Sequence, residues 1–547
     1  MSKASLKNSF KAQHSESVLE TIGKFCLNVL KILVWLSVVL VLVILPFYFQ
    51  EGYTHIGSDK SYFFRKASVM LGRLILPVWG GCILCYGMNL FIHKKKGQLP
   101  QLFRCLCITD YFAFFYGVCD IISYFCSDYK ETALWGTTGW FMGLIPQLTL
   151  VALYFLIRFF QTKGEWVVIL NLLASAIVFV LGFLNRFAVF PIPMKYSDRE
   201  TFISTIGNIN WYCGYLMAVF FVGVGLLWLD QGEDKRKTWL LCGYVFVGFA
   251  TLITQGSESG IFALAIVLFT LFVLSAKDGD LTRVGKFWLI ILLLAMAGIF
   301  TAALRLAFPG RITFTFTLGD LLTYSPLSFI MAAAALAGVL TAHKGKGASV
   351  ALLRRGMKIF TKICCIAIPL LLVIFIGMIA MNTVHPGSLG ALSQMSVFTF
   401  NDRWGSSRGA TWSIGLRCFM EQDFLHKLTG VGPDCMADFL YKDSSDSLLA
   451  LAQRAFEKMR LTNAHCEILT ILVNEGILGA ICYGGMLISQ AYSLIRSRVN
   501  NAYAAACGLC VLAYFANSLW SFQQTMGVVP LFVIMGLGGY FLHRGEE

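Results

Sequence analysis

The stretch FCLNVLKILVWLSVVLVLVILPFYF, residues 25–49, decides the fold class of this chain. A helix needs about 20 predominantly apolar residues to cross the hydrocarbon core of a membrane. This stretch is longer than the apolar region of a signal peptide, and no small-residue cleavage site follows it. We therefore predict that it forms the first transmembrane helix and is not removed as a leader.

Composition extends this prediction to the whole chain of 547 residues, which is 57% hydrophobic and only 14% charged. Soluble domains carry about 25% charged residues, so we predict an all-α, polytopic membrane protein. About fourteen apolar stretches have the length of a span. They lie near 25–49, 69–92, 105–126, 137–157, 166–185, 207–229, 238–254, 260–276, 287–307, 326–342, 360–382, 466–493, 503–522 and 526–542.

The net charge of +14 is explained by membrane topology, because Lys and Arg collect in cytoplasmic loops. Fourteen spans place the N-terminal lysines Lys3, Lys7 and Lys11, the HKKK loop at 93–96 and the DKRK loop at 234–237 on one side. We predict that this side is the cytoplasm, that both termini lie there, and that no nucleic acid is bound. The stretch KSYFFRK, 60–66, is an exception, because it puts positive charge on the opposite side.

The spans divide the chain into three parts. We predict transmembrane helices 1–11 in residues 1–382, an outer loop in 383–465, and transmembrane helices 12–14 in 466–547. Loops as long as the central part are usually functional or disordered, and its Trp, Phe and Leu content argues against disorder. Two stretches of it, 410–420 and 447–459, have helical patterning. The second is amphipathic, and either lies on the bilayer surface or packs on the helix bundle.

The seventeen cysteines do not indicate a metal site. Most lie in apolar stretches, where cysteine behaves as a small buried hydrophobe. The CxxC pairs, such as Cys82 with Cys85, lack further ligands at the spacing that zinc sites require. We predict neither a metal nor a cofactor.

Three arginines of the central part are candidates for binding phosphate: Arg403, Arg408 and Arg417. A guanidinium presents a rigid fork of donors that matches phosphate oxygens and stays charged. The alternative for each is contact with lipid headgroups. The turn TGVGPD, 429–434, adds Gly430 and Gly432, which allow a backbone to approach a ligand closely.

The stretch NAHCEILTILVNEGILG, 463–479, places His465 and Asn463, which we predict to bind substrate, at the entrance of an apolar helix. Near neutral pH an unperturbed imidazole can accept a proton, so His465 is either a general base or a structural hydrogen-bonding group. Arg408 precedes it by about sixty residues. We expect the two side chains to face one cavity at the outer leaflet of the membrane.

These residues resemble the signature of the O-antigen ligase and O-antigen polymerase superfamily. His465 and Cys466, nine further residues and then Gly476 and Gly479 are similar to its His motif. The pair Arg408 and Trp412 resembles its Arg-x-x-x-Trp motif, and the stretch GVG at 430–432 resembles its Gly-x-Gly turn. The resemblance is specific over 401–485 and only topological elsewhere.

The resemblance implies a metal-independent glycosyltransferase in the bacterial inner membrane. Such an enzyme moves a glycan from an undecaprenyl-diphosphate donor to the hydroxyl of a glycan or lipid acceptor, on the outer face. His465 would be the base for the acceptor hydroxyl, and Arg408 would bind the donor diphosphate. Glu475, Gly476 and Gly479 would support the His465 helix. Ligase and polymerase share this chemistry, and the sequence does not separate them.

The sequence departs from the family pattern in two places. Cys466 stands where the family has Asn, Ser or Gln, and a thiol is a weak hydrogen-bonding group. The family's Ser-Arg-Gly corresponds here to Glu258-Ser259-Gly260, without the arginine. The alternatives for its phosphate contact are Arg305, Arg311 and Arg403, or a different mode of donor binding. Glu258 would repel a diphosphate, or would bind a sugar hydroxyl or the acceptor.

Two other classes of protein fit the span count. One is a flippase for lipid-linked oligosaccharides or another transporter, although related halves, typical of such proteins, are not evident. The other is a sensor or scaffold whose loop binds a glycan without turnover.

Overall fold

The computed structural model describes residues 18–93, 106–195, 200–311, 317–344, 347–457 and 459–544. The described chain is almost entirely helical, with one short antiparallel strand pair, β1 (Phe202–Ile203) and β2 (Gly207–Asn208). The prediction that Lys3, Lys7, Lys11 and the HKKK loop share one side of the membrane concerns residues that mostly lie outside this description, since residues 1–17 and 94–96 are not among those described.

We call residues 383–465 the central segment. Thirteen helices begin before it among the described residues. They are α1 (Val18–Phe47, including a π-helical turn at Leu40–Ile44), α2 (Ile56–His93), α3 (Ile108–Cys126), α4 (Lys130–Trp135), α5 (Leu144–Phe160), α6 (Gly164–Arg186), α7 (Ile209–Leu229), α8 (Lys235–Thr254), α9 (Glu258–Asp278), α10 (Leu281–Ala307), α11 (Thr317–Thr323), α12 (Leu327–Lys344) and α13 (Ala348–Val384).

Four helices belong to the central segment and four follow it. They are α14 (Trp404–Glu421), α15 (Phe424–Thr429), α16 (Met436–Lys442), α17 (Asp446–Phe456), α18 (Glu467–Asn474), α19 (Gly476–Arg496), α20 (Ala502–Ser518) and α21 (Thr525–Arg544).

An all-α membrane protein with many spans is confirmed. Among the described residues, 11 helices are long and apolar enough to cross a membrane. They are α1, α2, α6 to α10, α12, α13, α19 and α21. Helices α3, α5 and α20 occupy the three remaining predicted positions but are not among these 11. The count of fourteen stays a prediction.

Apolar exposure shows which helices need a surrounding membrane. Helix α7 is the centre of the bundle, where Phe220 and Trp228 are buried and where α20 and α21 pack against it. Helix α13 instead exposes a run of aliphatic side chains, including Leu371 and Leu372. Such a surface is stable only when lipid covers it.

The predicted span at 466–493 is wrong as a single helix. It is two helices, α18 and α19, separated at Glu475. Gly476 has φ +72°, a left-handed conformation that ends α18 and redirects the chain. The GVG stretch sits in this break, since the Val431 N–H donates to Val473 O (3.2 Å) and the Gly432 N–H donates to Asn474 O (2.9 Å).

The central segment is folded around its own small core. Both predicted helices are present, as α14 and α17. One turn apart on α17, Leu448 and Ala452 are fully buried, together with Ile414 of α14 and Val473 of α18. Helix α17 therefore packs on other helices of its own segment, and its predicted contact with either the bilayer surface or the helix bundle stays a prediction.

Helix α9 runs from one end of the bundle to the other. It begins with Glu258 at one end, which we call the site end, and finishes with Asp278 at the other. Asp278 forms ion pairs with Arg283 (2.5 Å) and Arg498 (2.6 Å). The start of α10 and the residues that follow α19 thus meet at the end of the bundle opposite to the site end.

Candidate functional site

A cavity of about 560 Å³ opens at the site end of the bundle. Distant parts of the chain line it, among them the start of α9 with Glu258, the start of α14 with Arg408, and the turn with His465. Trp520, between α20 and α21, lines it as well. The expected proximity of Arg408 and His465 is therefore observed, and their chemical roles stay predictions.

An unusual turn positions Arg408. The three residues before it, Gly405, Ser406 and Ser407, have φ values of 57°, 59° and 68°. Non-glycine residues rarely adopt this left-handed region, and each costs about 1–3 kcal/mol unless its surroundings hold it. Regular helical geometry resumes after this turn, so Arg408 stands at the entrance of α14.

The Arg408 side chain is fixed by backbone carbonyls. Its Nε and Nη2 donate to Trp520 O at 3.0 and 2.9 Å, and its Nη1 donates to Gly405 O at 3.0 Å. A guanidinium has five N–H bonds, so two N–H bonds, one on each Nη, are left after these three. Among the described residues, no carboxylate forms an ion pair with Arg408. The group is thus rigid, charged and able to bind an anion.

His465 is held by its backbone while its ring stays free to react. It has φ +49°, and its N–H donates to Asn463 Oδ1 (3.1 Å). The imidazole packs edge-on against Phe522, with ring centroids 5.1 Å apart. Within the described part of the chain, neither ring nitrogen has a hydrogen-bond partner. Among the described residues, therefore, nothing accepts from or donates to the ring, as the predicted structural hydrogen-bonding role would require.

The surroundings keep His465 neutral. Burial lowers the pKa of its imidazole, the positive charge of Arg408 adds to this shift, and together they bring the pKa to about 4. Burial also lowers the pKa of Arg408, while the Glu258 carboxylate opposes that shift. The three side chains are therefore electrostatically coupled across the cavity. At neutral pH the imidazole has an unprotonated nitrogen.

Glu258 brings negative charge to the same cavity. It is the first residue of α9 and is exposed to solvent. An anion bound to Arg408 would share the cavity with this carboxylate, so repulsion between the two is expected. Glu258 suits an uncharged hydroxyl better than a phosphate, since an ionised carboxylate only accepts hydrogen bonds.

The glycines predicted as supporting residues lie at the break between α18 and α19. A Cβ on Gly430 would come within 2.0 Å of Asn474 O, and one on Gly476 within 2.3 Å of Leu428 O. Gly432 has φ +123° and packs on Ser127. These close approaches are to the protein's own backbone and side chains. Gly430 and Gly432 do not line the cavity, and the expectation that they bring backbone close to a ligand stays a prediction.

Two polar residues connect the break to the site. Glu475 is buried, and its Oε2 has no hydrogen-bond partner among the described residues. It lines a separate cavity of only about 20 Å³, which Asn463 also lines. Asn463 thus supports the His465 turn through its side-chain oxygen, which accepts from the His465 N–H, and the prediction that it lines the substrate site is not borne out, because it does not line the larger cavity. Gly479 lies one turn into α19, where a Cβ would meet that of Glu475 at 2.3 Å.

Four arginines predicted to bind substrate do not line the cavity. Arg417 follows Arg408 by nine residues, and at about 100° per residue this places it on the opposite face of α14. Arg403 is exposed and precedes the left-handed turn. Arg305 is buried in an ion pair with Asp320 (2.7 Å). Arg311 is exposed in the short 3-10 helix Pro309–Arg311.

An arginine that the sequence reasoning missed lies next to the cavity. Arg186, at the end of α6, is fully buried, and its Nη2 donates to Gln255 O (2.5 Å). Its Nη2 would lie 3.0 Å from a Cβ on Gly256, one of the residues that line the cavity. A charged residue at the end of an apolar span is a signal for function in itself, and it could have revealed this position.

Three tryptophans form a wall beside Arg408. Trp412 lies 5.1 Å from Trp520 and 5.6 Å from Trp404, measured between ring centroids. The Nε1 atoms of Trp412 and Trp520 are buried without a hydrogen-bond partner in the described part of the chain. Trp412 thus packs against the residue whose carbonyl holds the guanidinium, which gives the spacing from Arg408 to Trp412 a structural reason.

Comparison with known proteins assigns no family: no family model matches the chain, and a search of curated proteins finds no similar sequence.

Proposed function

We propose that this protein is a membrane glycosyltransferase of the O-antigen ligase or polymerase type. It would transfer a glycan from an undecaprenyl-diphosphate donor to an acceptor hydroxyl, at the outer face of a bacterial inner membrane. The observation that carries the proposal is the joint placement of a neutral, unpartnered imidazole and a rigid guanidinium in one cavity. Its volume, about 560 Å³, is in the range of small-molecule sites, roughly 300–1,000 Å³.

The reaction assigns one step to each side chain. The acceptor oxygen attacks the anomeric carbon of the donor sugar and forms a new C–O bond. The bond from that carbon to the diphosphate oxygen breaks, and its electron pair leaves with undecaprenyl diphosphate. His465 accepts the hydroxyl proton, and the free N–H bonds of Arg408 donate to the phosphate oxygens as negative charge develops.

Donor binding would tune the base. With its pKa near 4, His465 is a weak base in the empty cavity, and a general base works best when its pKa is near the working pH. A diphosphate on Arg408 brings negative charge that offsets the field of the guanidinium. The pKa of His465 then rises, so the base is strengthened once the donor is in place.

Glu258 is assigned to the uncharged part of the substrates. Its carboxylate would accept a hydrogen bond from a sugar or acceptor hydroxyl. In that position it also disfavours a second anion, so the cavity would hold the diphosphate on the Arg408 side only.

The experiment compares two histidines of the same segment in reconstituted vesicles that contain an undecaprenyl-diphosphate-linked glycan. We expect His465→Ala to reduce glycan transfer by about 10²- to 10⁴-fold while donor binding is retained. His426→Ala is the matched control, because His426 pairs with Asp423 (2.8 Å) and lies outside the cavity.

Each rival class predicts a different outcome. A flippase would move the labelled donor across the vesicle membrane at an unchanged rate in both variants, without cleaving it. A scaffold would bind donor in both variants without any release of undecaprenyl diphosphate. Transfer at the wild-type rate by His465→Ala would overturn the assignment of the base.

A further inference from the structure

A second cavity at the site end of the bundle carries more positive charge than the first. It has a volume of about 630 Å³ and runs along one face of α2 beside Trp135. Three cations line it: Arg65, Lys66 and Arg73. Apolar side chains complete its wall, including Met70. We call this feature the α2 groove.

The α2 groove contains the part of KSYFFRK that topology does not explain. Lys60, the first cation of that stretch, is fully buried and donates to Leu45 O (2.9 Å) and Pro46 O (3.0 Å) at the end of α1. Its charge therefore serves to cap a helix. Arg65 and Lys66 have no such role, so a separate explanation is needed for them.

The charge of the groove is not neutralised by the protein. Arg65 lies over the ring of Trp135, 4.1 Å from its centroid, and Lys66 lies over Tyr62 at 4.4 Å. Cation–π contacts of this kind orient a cation without removing its net charge. Among the described residues, none of the three cations forms an ion pair with a carboxylate. The groove thus presents three uncompensated positive charges.

The helix places these charges at the edge of the membrane. Residues 74–92 of α2 are an apolar run of 19 residues, about 28 Å at 1.5 Å per residue, which matches the hydrocarbon core. Arg73 immediately precedes this run, and Arg65 and Lys66 lie two turns further out. Met70 and Leu74, between and below the cations, are exposed. Cations therefore lie at headgroup depth, directly above an exposed apolar surface.

We propose that the α2 groove binds a membrane lipid with an anionic phosphate headgroup. The guanidinium groups of Arg65 and Arg73 and the ammonium of Lys66 would contact the phosphate, and an acyl chain would lie along Met70 and Leu74. A soluble phosphate would use only the cations, whereas this groove combines them with an apolar wall. That combination points to a lipid as the occupant.

The lipid site is separate from the candidate active site, although both lie at the same end of the bundle. Trp135 ends α4, and two residues later the Thr137 N–H donates to Asp434 Oδ2 (2.7 Å) in the central segment. No residue lines both cavities. The lipid proposal therefore does not depend on the proposed glycosyltransferase activity.

The test measures lipid binding to the purified full chain in detergent by native mass spectrometry. The probes are short-chain phosphatidylglycerol, which is anionic, and phosphatidylcholine, which has no net charge. The variant Arg65→Gln with Lys66→Gln and Arg73→Gln removes three charges. The matched control, Arg354→Gln with Arg355→Gln and Lys358→Gln, likewise removes two arginines and one lysine, from exposed positions on α13.

We expect the wild type and the α13 control to bind one phosphatidylglycerol more tightly than any phosphatidylcholine. Each Lys or Arg near a membrane surface strengthens attraction to anionic lipid about 5-fold, so the α2 triple variant should bind about 100-fold more weakly. Inorganic phosphate at the same concentration should not compete. Equal binding by the two triple variants, equal binding of both lipids, or competition by phosphate would overturn the proposal.

Single variants keep the proposal testable if the triple variant does not fold. Lys66 and Arg73 are exposed, so Lys66→Gln and Arg73→Gln should leave the packing of α2 intact. Each should weaken phosphatidylglycerol binding about 5-fold. Unchanged affinity in both single variants would also contradict the proposal.

Discussion

Arg408 and the cations of the α2 groove lie at the same end of the helix bundle, yet the protein holds them in different ways. Three hydrogen bonds to backbone carbonyls fix the Arg408 guanidinium inside a polar cavity, beside a neutral imidazole. The cations of the α2 groove rest on aromatic rings or project from an exposed helix. Rigid placement suits chemistry at a defined atom. A cluster of charges along an exposed helix suits a diffuse partner such as a lipid headgroup.

The comparison teaches that positive charge by itself does not identify the phosphate that a site takes. What distinguishes the two sites is the fixed geometry around the charge and, in the candidate functional site, an imidazole whose ring nitrogens have no hydrogen-bond partner among the described residues.

Beyond the His465→Ala variant, the largest effect is expected at Arg408. Arg408→Ala should slow glycan transfer by about 10²- to 10³-fold, because a preorganised donor to the developing negative charge is lost. Arg408→Lys should be nearly as slow, because an ammonium cannot form the two-pronged contact or replace all three backbone hydrogen bonds. Full activity of the lysine variant in the vesicle assay would show that only charge is required at this position. The fixed geometry of Arg408 would then no longer distinguish its site from the α2 groove.

A large loss of stability is expected at the break between α18 and α19. Gly430→Ala places a methyl group 2.0 Å from Asn474 O at φ +78°, and strain of this kind should destabilise the fold by about 2–4 kcal/mol. Gly377→Ala is the control, since a Cβ there meets nothing within 4 Å. Thermal unfolding in detergent should show a lowered midpoint only for Gly430→Ala. Equal midpoints would mean that the break tolerates a side chain.

The pH dependence of transfer should report the lowered pKa of His465. A base must be unprotonated, so kcat/KM falls only when the pH drops below the pKa of the free protein, near 4. Between pH 7 and pH 5 the value of kcat/KM should stay level, whereas an ordinary histidine would lose activity near pH 6.5. An inflection near 6.5 would show that burial and Arg408 do not depress this pKa.

The smallest effect is expected at the arginines outside the cavity. Arg403→Ala and Arg417→Ala should leave the rate of glycan transfer within about a factor of two, as for ordinary exposed positions, whose substitution costs within about 0.5 kcal/mol. The same vesicle assay measures this. A loss comparable to that of Arg408→Ala would mean that the donor reaches beyond the cavity along α14.

Much of the fold could be predicted from apolar patterning, because a span is a local property of the sequence. The helices α14 and α17 of the central segment were predictable for the same reason. The break at Glu475 was missed, since the apolar pattern resumes directly after Asn474 and Glu475 and only the left-handed Gly476 ends α18. Its close contact with Leu428 depends on tertiary packing, which no local pattern encodes.

The site was predictable only where residue type and motif agreed. Arg408, His465 and Glu258 line one cavity although they are far apart in the chain. The sequence did not show that Arg305 lies outside the cavity. Its ion-pair partner Asp320 is fifteen residues away and on another helix, so the pairing has no local sequence signal. Trp520 contributes through its backbone carbonyl, a group that every residue has, so its role has no sequence signal.

The most direct test of the central claim is a double-mutant cycle of His465→Ala and Arg408→Ala in purified protein. The readouts are glycan transfer and release of undecaprenyl diphosphate, which should be equimolar in the wild type. Because both groups would act on one transition state, the double variant should be about as slow as the slower single variant. Losses that multiply, or a wild-type protein that releases no undecaprenyl diphosphate, would contradict the account.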